Sequence, residues 1–459
     1  MNFEKQSRSY EKEFIQNVSK LLVIPSIYEE DKNYPYGKPI HEALTTMLNI
    51  GKEDGFKVKD VDGHAGHIEF GEGEEVIGIL GHLDVVPPGE GWSTEPFTPE
   101  LKDGKLYARG AQDDKGPVVA AYMAMKLLKN EGFQPKKKVR LILGTDEERD
   151  WKGIEHYFSQ EEMPVFGFSP DAAFPVIHAE KGLIDGYFTF SSNKPSAGKE
   201  AIELISIEAG DRLNMVPDYA EAILSTSKDI PSMLEGFLSK SEADGKTVVK
   251  EGRFHVSIEG KSVHPSKPAQ GVNAIVELLR FLKDLPIKES LLFQSLYSSF
   301  SSTSGEQAGL ALQDNVSGSL TLNLGSLTYS TPSSLKLGIN LRYPVTERGE
   351  DVIKLLQQIA DNHEGSFELY DHLAPLYVEK DHPYVETLMN VYNKTVTNKA
   401  EPVAIGGATY ARVLETGVAF GALFEESPDT AHQKDEHVRI KDMVKSIAIY
   451  ADAIYQLTK

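Results

Sequence analysis

Acidic side chains crowd one short segment of the sequence, GTDEERD at residues 144–150, which begins at the last residue of the apolar run LILG. That run is typical of a buried strand, so Asp146, Glu147 and Glu148 stand side by side at a strand end. Like charges at close range raise one another's pKa unless a cation keeps them ionised. The segment therefore indicates metal or proton chemistry, and the alternative interpretation is a solvated acidic turn.

Four other segments offer hard or borderline metal ligands after predicted strands. They are GHLDVVPPGEGW with His82 and Asp84, RGAQDDKGP with Asp113 and Asp114, FSPDAAFP with Asp171, and SPDTAHQKDEH with His432. The chain has no cysteine, so a transition metal must be held by His, Asp and Glu. Each segment alone also fits a turn or a helix cap, but the five in order favour a metal site. His64 and His67 in DGHAGH have a similar spacing, yet they lie in a predicted Gly-rich turn and no partner is assigned to them.

Strands and helices must bring these segments together. EEVIGILGHLDVV and KKVRLILGTDEE predict strands, and the Ala-rich KGPVVAAYMAMKLLKNEGF between them predicts a helix with Pro117 in its first turn. This alternation is typical of an α/β fold, whose parallel strands hold sites at their carboxyl ends. Segments such as FHVSIEGK and LKLGINLRYP then alternate with period two between helices, which is an α+β pattern. We predict a catalytic domain over 1–181 and 376–459, with a mixed, mostly parallel sheet flanked by helices, and an inserted α+β lid domain over 182–375.

The composition narrows the classes of function. A length of 459 residues favours two or three domains. The 48 basic and 69 acidic residues give a net charge of −21, which disfavours nucleic acid and anionic membranes as partners. The amino-terminal MNFEKQSRSYEKEF lacks the apolar segment of a signal peptide, and no apolar run is long enough to span a membrane. We expect a cytoplasmic protein.

The five segments, together with FSPDAAFPVIHAEKG and GKSVHPSKPAQGVNA, resemble the co-catalytic di-zinc metallopeptidases. That family includes carnosinases, carboxypeptidase G, aminoacylases and succinyl-diaminopimelate desuccinylase, and the sequence is most similar to its PepV-like bacterial dipeptidases over essentially the whole chain. The resemblance implies that His82 and Asp171 hold one divalent metal ion, that Glu148 and His432 hold a second, and that Asp113 bridges the two. The ions would be Zn²⁺, with Mn²⁺ or Co²⁺ as alternatives, because the same ligands accept all three.

The resemblance also implies roles for the remaining acidic residues. Glu147 would activate a water that bridges the metals and pass its proton to the leaving amine. Asp84 would orient the imidazole of His82. Asp114 falls outside the ligand pattern and could cap the following helix, while Asp146 would be structural.

Residues of the predicted lid match positions that hold substrate in the PepV-like enzymes. His264 in SVHPS would stabilise the oxyanion, and Arg342 in NLRYP would clamp a carboxylate. Asn214 in RLNMVPD would also hold substrate, and Gly406 and Gly407 in IGGATYAR would let backbone amides approach it. The alternatives are a solvated loop histidine, a surface arginine on a strand, and two turns.

Together these assignments predict a metal-dependent dipeptidase that acts on short peptides with a free amino terminus, of the Xaa-Xaa or β-Ala-His type. The lid would complete the site within one chain, so we expect a monomer with a small peptide as its only partner. One alternative is an N-acyl amino acid deacylase or desuccinylase of the same family. Another is a catalytically inactive peptide-binding relative, against which Glu147 speaks because a binding protein needs no general base.

Overall fold

A computed structural model describes residues 2–191, 202–330 and 334–459. The described chain forms two compact units, the first made of residues up to 179 with 376–404 and 408–459, and the second made of 180–375 with 405–407. The predicted division instead assigns residues 180–181 and 405–407 to the catalytic domain. They belong to the second unit, where Lys181 donates its backbone N–H to the carbonyl of Ile405 (3.1 Å) and Arg342 donates to the carbonyl of Gly406.

The described residues form α-helices that are numbered here in chain order. The helices are α1 (Phe3–Ser7), α2 (Glu11–Leu22), α3 (Lys38–Glu53), α4 (Lys115–Asn130), α5 (Lys152–Gln160), α6 (Ile230–Leu238), α7 (Ala274–Leu282), α8 (Ser290–Phe300), α9 (Gly349–Asn362), α10 (Pro383–Asn393) and α11 (Ile440–Thr458). No helix within these described ranges is long and apolar enough to cross a membrane.

Strands are numbered in the same way. They are β1 (Lys57–Val61), β2 (Ala65–Phe70), β3 (Val76–His82), β4 (Glu100–Lys102), β5 (Lys105–Tyr107), β6 (Lys138–Gly144), β7 (Phe166–Ser169), β8 (Ala172–Ala173), β9 (Val176–Glu180), β10 (Gly182–Ser191), β11 (Glu203–Ala209), β12 (Tyr219–Ser225), β13 (Asp244–Lys250), β14 (Arg253–Glu259), β15 (Gln313–Asp314), β16 (Gly318–Ser319), β17 (Thr321–Ser330), β18 (Ser334–Tyr343), β19 (Gly365–Leu373), β20 (Leu376–Tyr377), β21 (Val403–Ile405), β22 (Gly417–Phe420), β23 (Ala422–Leu423) and β24 (His437–Arg439).

The first unit is built on a mixed sheet in the order β1-β2-β6-β3-β7-β22-β9-β20, with β21 beside β9. Its central strands β6, β3, β7 and β22 are parallel. The pairings of β1 with β2, β2 with β6, and β22 with β9 are antiparallel. The predicted α/β class, a mixed sheet flanked by helices, is confirmed.

Both faces of this sheet are buried, which explains the continuous apolar runs of its central strands. Successive side chains of a strand point to opposite faces. Ile77 and Ile79 of β3 join a large cluster that includes residues of α4 and α11, whereas Leu80 joins a smaller cluster with Ile154 of α5. The site residues that follow β3 and β6 therefore extend from strands fixed on two sides.

The second unit contains an antiparallel sheet in the order β13-β14-β12-β11-β17-β18-β10-β19. Its strands alternate, and in β12 the side chains of Ala220, Ala222 and Leu224 are buried while the intervening ones are partly exposed. Residues of α6, α7, α8 and α9 share one apolar cluster with the buried face. This is the α+β arrangement that the period-two pattern predicts.

Candidate metal centre

Three parallel strands place predicted ligands at one edge of the first unit's sheet. His82 is the last residue of β3 and is in register with Gly144, the last residue of β6. Glu147 and Glu148 follow β6 within four residues, and Asp171 lies two residues beyond β7. The carboxyl ends of neighbouring parallel strands lie together, so the sheet itself gathers side chains that are far apart in sequence.

His82 is fully buried at the centre of this group. Its Nδ1 lies 3.0 Å from the backbone carbonyl oxygen of Asp84, and its Nε2 lies 2.9 Å from Oδ1 of Asp113 and 3.6 Å from Oδ2 of Asp171. A ring that donates from Nδ1 to a carbonyl presents Nε2 to a metal. His82, Asp113 and Asp171 therefore form a set of three donors.

His432 forms a second set with Asp113 and Glu148. Its Nε2 lies 2.9 Å from Oδ2 of Asp113 and 3.0 Å from Oε1 of Glu148. The backbone of His432 is left-handed, with a φ of 60°, a conformation that few residues other than glycine adopt. Asp113 thus turns one carboxylate oxygen to each histidine, which is the arrangement expected of a bridging ligand.

The described residues contain three groups whose donor atoms lie within 4.8 Å of one another. Two are the sets already described, and they match the predicted distribution of ligands between two ions. The third group joins His82 with Glu147 and Glu148, so proximity alone also allows Glu147 to be a ligand. The distances differ, because Oε2 of Glu147 lies 4.0 Å from Nε2 of His82.

The electrostatics of the cluster fit divalent cations. Burial alone would lower the pKa of His82, but the carboxylates of Asp113 and Asp171 raise it well above its usual range. Hydrogen bonds to Asp113 and Glu148 raise the pKa of His432 to about 11. A metal ion competes for the same lone pairs and releases these protons when it binds. Two imidazoles and three carboxylates form a donor set that Zn²⁺ accepts, so these residues fit a pair of divalent ions.

Asp84 holds the segment that carries the two glutamates. Its carboxylate accepts the backbone N–H groups of Glu147 (3.2 Å) and Glu148 (3.0 Å). Its carboxylate oxygen Oδ1 lies 3.5 Å from Nδ1 of His82, farther than its backbone carbonyl at 3.0 Å. The predicted orientation of the imidazole by Asp84 therefore runs mainly through the main chain, whereas the carboxylate orients the neighbouring loop.

Glu147 differs from its neighbours in its contacts. Burial raises the pKa of its carboxyl group well above the usual range, and nearby acidic groups, including Asp171, act in the same direction. Its backbone carbonyl accepts from the indole Nε1 of Trp151 at 2.7 Å. A buried carboxylate of raised pKa beside a metal cluster has the properties of a general base.

The two remaining acidic residues are fixed by main-chain contacts. Asp114 occupies the N-cap position of α4 without a capping side-chain hydrogen bond, and its Oδ2 instead accepts the backbone N–H of His82 at 3.3 Å. Asp146 accepts the backbone N–H of Lys152 at 3.0 Å, and burial, followed by the charge of Asp84, raises its pKa to about 6. The predicted cap at Asp114 is thus wrong in its hydrogen bonding, since the buried carboxylate turns towards β3.

The predicted substrate residues all lie in the second unit. Asn214 is exposed in a turn, and His264 is exposed in a loop, where its Nδ1 lies 2.7 Å from the hydroxyl of Ser266. Reduced solvation and the positive charges of Arg342 and Lys267 lower the pKa of His264 to about 4. At neutral pH its imidazole is uncharged.

Arg342 is buried rather than a surface residue of its strand. Its Nε donates to Oδ1 of Asn340 (3.1 Å), and its Nη1 donates to the carbonyl of Gly406. Asn340 in turn donates to Asp185 at 2.6 Å. A Cβ atom at Gly406 would lie 3.2 Å from Cβ of Ser266, while one at Gly407 would meet only the side chain of Ile405. The tighter of the two glycines, Gly406, is thus an acceptor for Arg342.

Two buried residues that contact these loops have no role that the sequence pattern predicts. Glu436 accepts hydrogen bonds from the segment that ends at Asp113. Asn323 donates to the carbonyls of Leu213 (3.1 Å) and Met215 (2.8 Å), on either side of Asn214. The only available signal was the position of Glu436, four residues after His432. Neither residue belongs to a ligand pattern.

Residues 78–456 match peptidase family M20/M25/M40. The "Putative dipeptidase YtjP" of Bacillus subtilis (strain 168) is 41% identical over 467 residues and covers 100% of each chain. A "Putative dipeptidase" of Staphylococcus epidermidis is 42% identical over 463 residues, covering 98% of this chain and 97% of that protein.

Solved structures with low sequence identity show the same fold. Human carnosine dipeptidase 1 has a TM-score of 0.57 and 15% identity, covering 99% of each chain. The dipeptidase Dug1p of Saccharomyces cerevisiae has a TM-score of 0.59 and 15% identity, covering 99% of this chain and 98% of the other. At this identity the similarity concerns the fold alone.

Proposed function

The chain belongs to peptidase family M20/M25/M40, and from that membership we propose that it is a metal-dependent dipeptidase acting on short peptides with a free amino terminus. The names of its relatives support this reaction. The observation that carries the proposal is Asp113, whose two carboxylate oxygens each lie 2.9 Å from a different histidine, His82 and His432. Glu147 lies beside this pair without a contact as short.

Two divalent ions, proposed to be Zn²⁺, would be held by the five predicted ligands. His82 and Asp171 would hold one ion, Glu148 and His432 the other, and Asp113 both. When bound, such ions supply Lewis acidity to the peptide carbonyl and to water. The chain contains no cysteine, so a thiolate cannot be a ligand. Imidazole and carboxylate are therefore the donors that determine the choice of metal.

Glu147 is the proposed general base and, later, general acid. Its carboxylate would take a proton from the attacking water and deliver it to the nitrogen of the leaving amine. Burial favours the protonated form of this carboxyl group, so it can retain the proton between the two transfers. Asp84 would fix the direction of the side chain, since it accepts the backbone N–H groups of Glu147 and Glu148.

Residues of the second unit would recognise the substrate. His264 would donate to the oxyanion from an uncharged imidazole, because its pKa of about 4 lies well below neutrality. Arg342 would bind the substrate's free carboxylate, and its contacts with Asn340 and Gly406 fix the guanidinium plane in advance. Asn214 and the backbone of Gly407 would complete the set.

A substrate panel tests the proposal. Ala-Ala and β-Ala-His should be cleaved far better than longer peptides, and a C-terminal amide should reduce kcat/KM because Arg342 loses its charged partner. Preferential hydrolysis of N-acetyl or N-succinyl amino acids would instead identify a deacylase or desuccinylase. A chain that binds two metal ions and cleaves neither class would be a peptide-binding relative, and efficient cleavage of internal bonds in proteins would contradict the proposal altogether.

We also propose that the enzyme is a monomer located in the cytoplasm. The monomer is proposed because of the long insertion. By the resemblance to the PepV-like enzymes, this insertion would complete the active site within one chain, so that no second subunit is needed. Light scattering on the purified chain measures its mass directly. A stable dimer of twice 50.7 kDa would contradict the monomer prediction.

A further inference from the structure

Glu436 is a fully buried glutamate in the loop that carries His432. Its carboxylate accepts the backbone N–H of Gln112 at 2.8 Å and of Asp113 at 3.1 Å through Oε1. Through Oε2 it accepts the N–H of Gly110 at 3.1 Å and the Nη1 of Arg109 at 2.5 Å. All four donors belong to the segment 109–113, which ends at the proposed bridging ligand.

Gln112 joins the same two loops in the opposite direction. Its side-chain Nε2 donates to Oδ1 of Asp429 at 2.9 Å, and its Oε1 accepts from the backbone N–H (2.9 Å) and hydroxyl (2.8 Å) of Thr430. The strands next to these loops are also paired, since β5 and β24 are antiparallel neighbours and Ala108 donates to the carbonyl of Glu436 at 3.1 Å. The two loops therefore form one hydrogen-bonded unit.

This joining bears directly on the ligand geometry. Asp113 and His432 come from loops more than 300 residues apart in sequence, yet their ligand atoms lie 2.9 Å from each other. The backbone of the second loop is left-handed at both His432 (φ 60°) and Asp435 (φ 58°), and such residues persist when surrounding contacts determine their conformation. Glu436 directly follows Asp435, and its hydrogen bonds join this loop to the segment that ends at the ligand Asp113.

We infer that Glu436, assisted by Gln112, is a positioning residue of the metal centre. It holds the main chain of Asp113 so that the two carboxylate oxygens face His82 and His432. The inference rests on the proposed function, because it assumes that these residues bind metal. A purely stabilising ion pair with Arg109 is the competing explanation. Three of the four hydrogen bonds go to the backbone of Gly110, Gln112 and Asp113 rather than to the arginine, which favours control of the loop's conformation.

Glu436→Gln tests the inference with little change of shape. The amide oxygen can still accept from the backbone, but the amide nitrogen would oppose the donors of Arg109 and Gly110. Gln112→Ala removes the second connection without altering a buried charge. Glu289→Gln is the matched control, because Glu289 is a buried glutamate of the second unit that accepts from the hydroxyl of Tyr329 at 2.9 Å.

Metal binding is measured on the full chain after removal of bound metal. Each variant is titrated with Co²⁺ in competition with a chelator, its absorption spectrum is recorded as a report on ligand geometry, and its folding is checked by thermal unfolding. Residues that orient metal ligands typically change metal affinity by about 10- to 100-fold when altered. We expect a loss of that size and a changed Co²⁺ spectrum for Glu436→Gln, a smaller loss for Gln112→Ala, and wild-type values for Glu289→Gln.

A folded Glu436→Gln variant with wild-type affinity and spectrum would overturn the inference. If that variant does not fold, Gln112→Ala decides, and unchanged metal binding in it would be equally contradictory. The proposed function fails separately. A wild-type chain that binds two Co²⁺ ions and cleaves no dipeptide would refute the dipeptidase while leaving the comparison of variants intact. An active wild type with an unaffected variant would refute only the positioning role.

Discussion

Replacing Glu147 by glutamine separates chemistry from scaffolding at the centre of the site. The change preserves the size of the side chain but removes its ability to accept a proton. The loop should keep its conformation, because its contacts are made by the main chain: the N–H of Glu147 donates to Asp84 at 3.2 Å, and its carbonyl accepts from Trp151 at 2.7 Å. Both metal ions should therefore remain bound.

The distances indicate which of the two glutamates can be lost without loss of metal. Oε2 of Glu147 lies 4.0 Å from the nearest ligand nitrogen, on His82, whereas Oε1 of Glu148 lies 3.0 Å from that of His432. Glu147 is thus the residue whose loss leaves both donor sets complete. General base catalysis contributes a factor of about 10² to 10⁴, which corresponds to roughly 2.7 to 5.4 kcal/mol of activation free energy. Turnover of Ala-Ala by Glu147→Gln should fall by at least this factor.

Glu148→Ala is the companion variant, because it removes one of the three donors in the set with Asp113 and His432. Metal stoichiometry, by elemental analysis, and kcat are measured for both variants. Glu148→Ala should lose occupancy and recover part of its activity in excess metal. Loss of metal from Glu147→Gln, with Glu148→Ala fully loaded, would reverse the two assignments, and two active, fully loaded variants would refute the reasoning.

Three further predictions concern metal, pH and the second unit. Chelation should abolish hydrolysis and lower the melting temperature, because an ion at 100 times its Kd stabilises the native state by about 2.7 kcal/mol; an unchanged melting temperature would contradict a bound metal. His67 is buried against the hydroxyl of Tyr157 (2.9 Å), and burial, followed by the charge of Arg140, lowers its pKa to about 3. In the unfolded chain the imidazole of His67 binds a proton near pH 6.5, whereas in the native chain it does not. The free energy of unfolding should therefore fall by up to about 1.4 kcal/mol per pH unit as the pH drops from 6.5 towards 3. Urea unfolding at pH 5 and pH 7 should show a smaller fall for His67→Gln than for the wild type. His264→Ala should lower kcat by roughly 10² to 10³, as loss of an oxyanion donor does, while elemental analysis still finds two metals per chain, and unchanged activity would remove His264 from the site.

The fold was predictable where several consecutive residues are apolar and buried. The central strands β3 and β6 are buried on both faces, and their short apolar runs are typical of core strands. His67 shows the limit. The sequence pattern predicts a turn at this position, but His67 lies within β2 and is buried. The polar imidazole can be buried there because the hydroxyl of Tyr157 in α5 forms a hydrogen bond with it. A local sequence pattern cannot predict a partner that lies 90 residues away.

The ligand residues were predictable for a different reason, namely that their segments resemble those of the di-zinc metallopeptidases; the absence of cysteine restricts the donors of such a site to imidazole and carboxylate. The structure brings together all five, with Glu147 beside them. The supporting contacts were not predictable. When a carboxylate accepts from a backbone N–H, the sequence does not show which residue is the donor, because every residue except proline carries that group.

These supporting contacts also explain why the site is so rich in acidic residues. The main-chain N–H of His82 donates to Asp114, that of Glu148 to Asp84, and that of Asp113 to Glu436. Three proposed ligands are thus each held by a second, buried carboxylate that is not itself a proposed ligand. Burial raises the pKa of Asp114 and of Glu436, so each such contact has a cost in solvation that a neighbouring cation reduces. Three carboxylates would then bind the metals, three others would fix the backbone that carries them, and loss of the metals should loosen both sets.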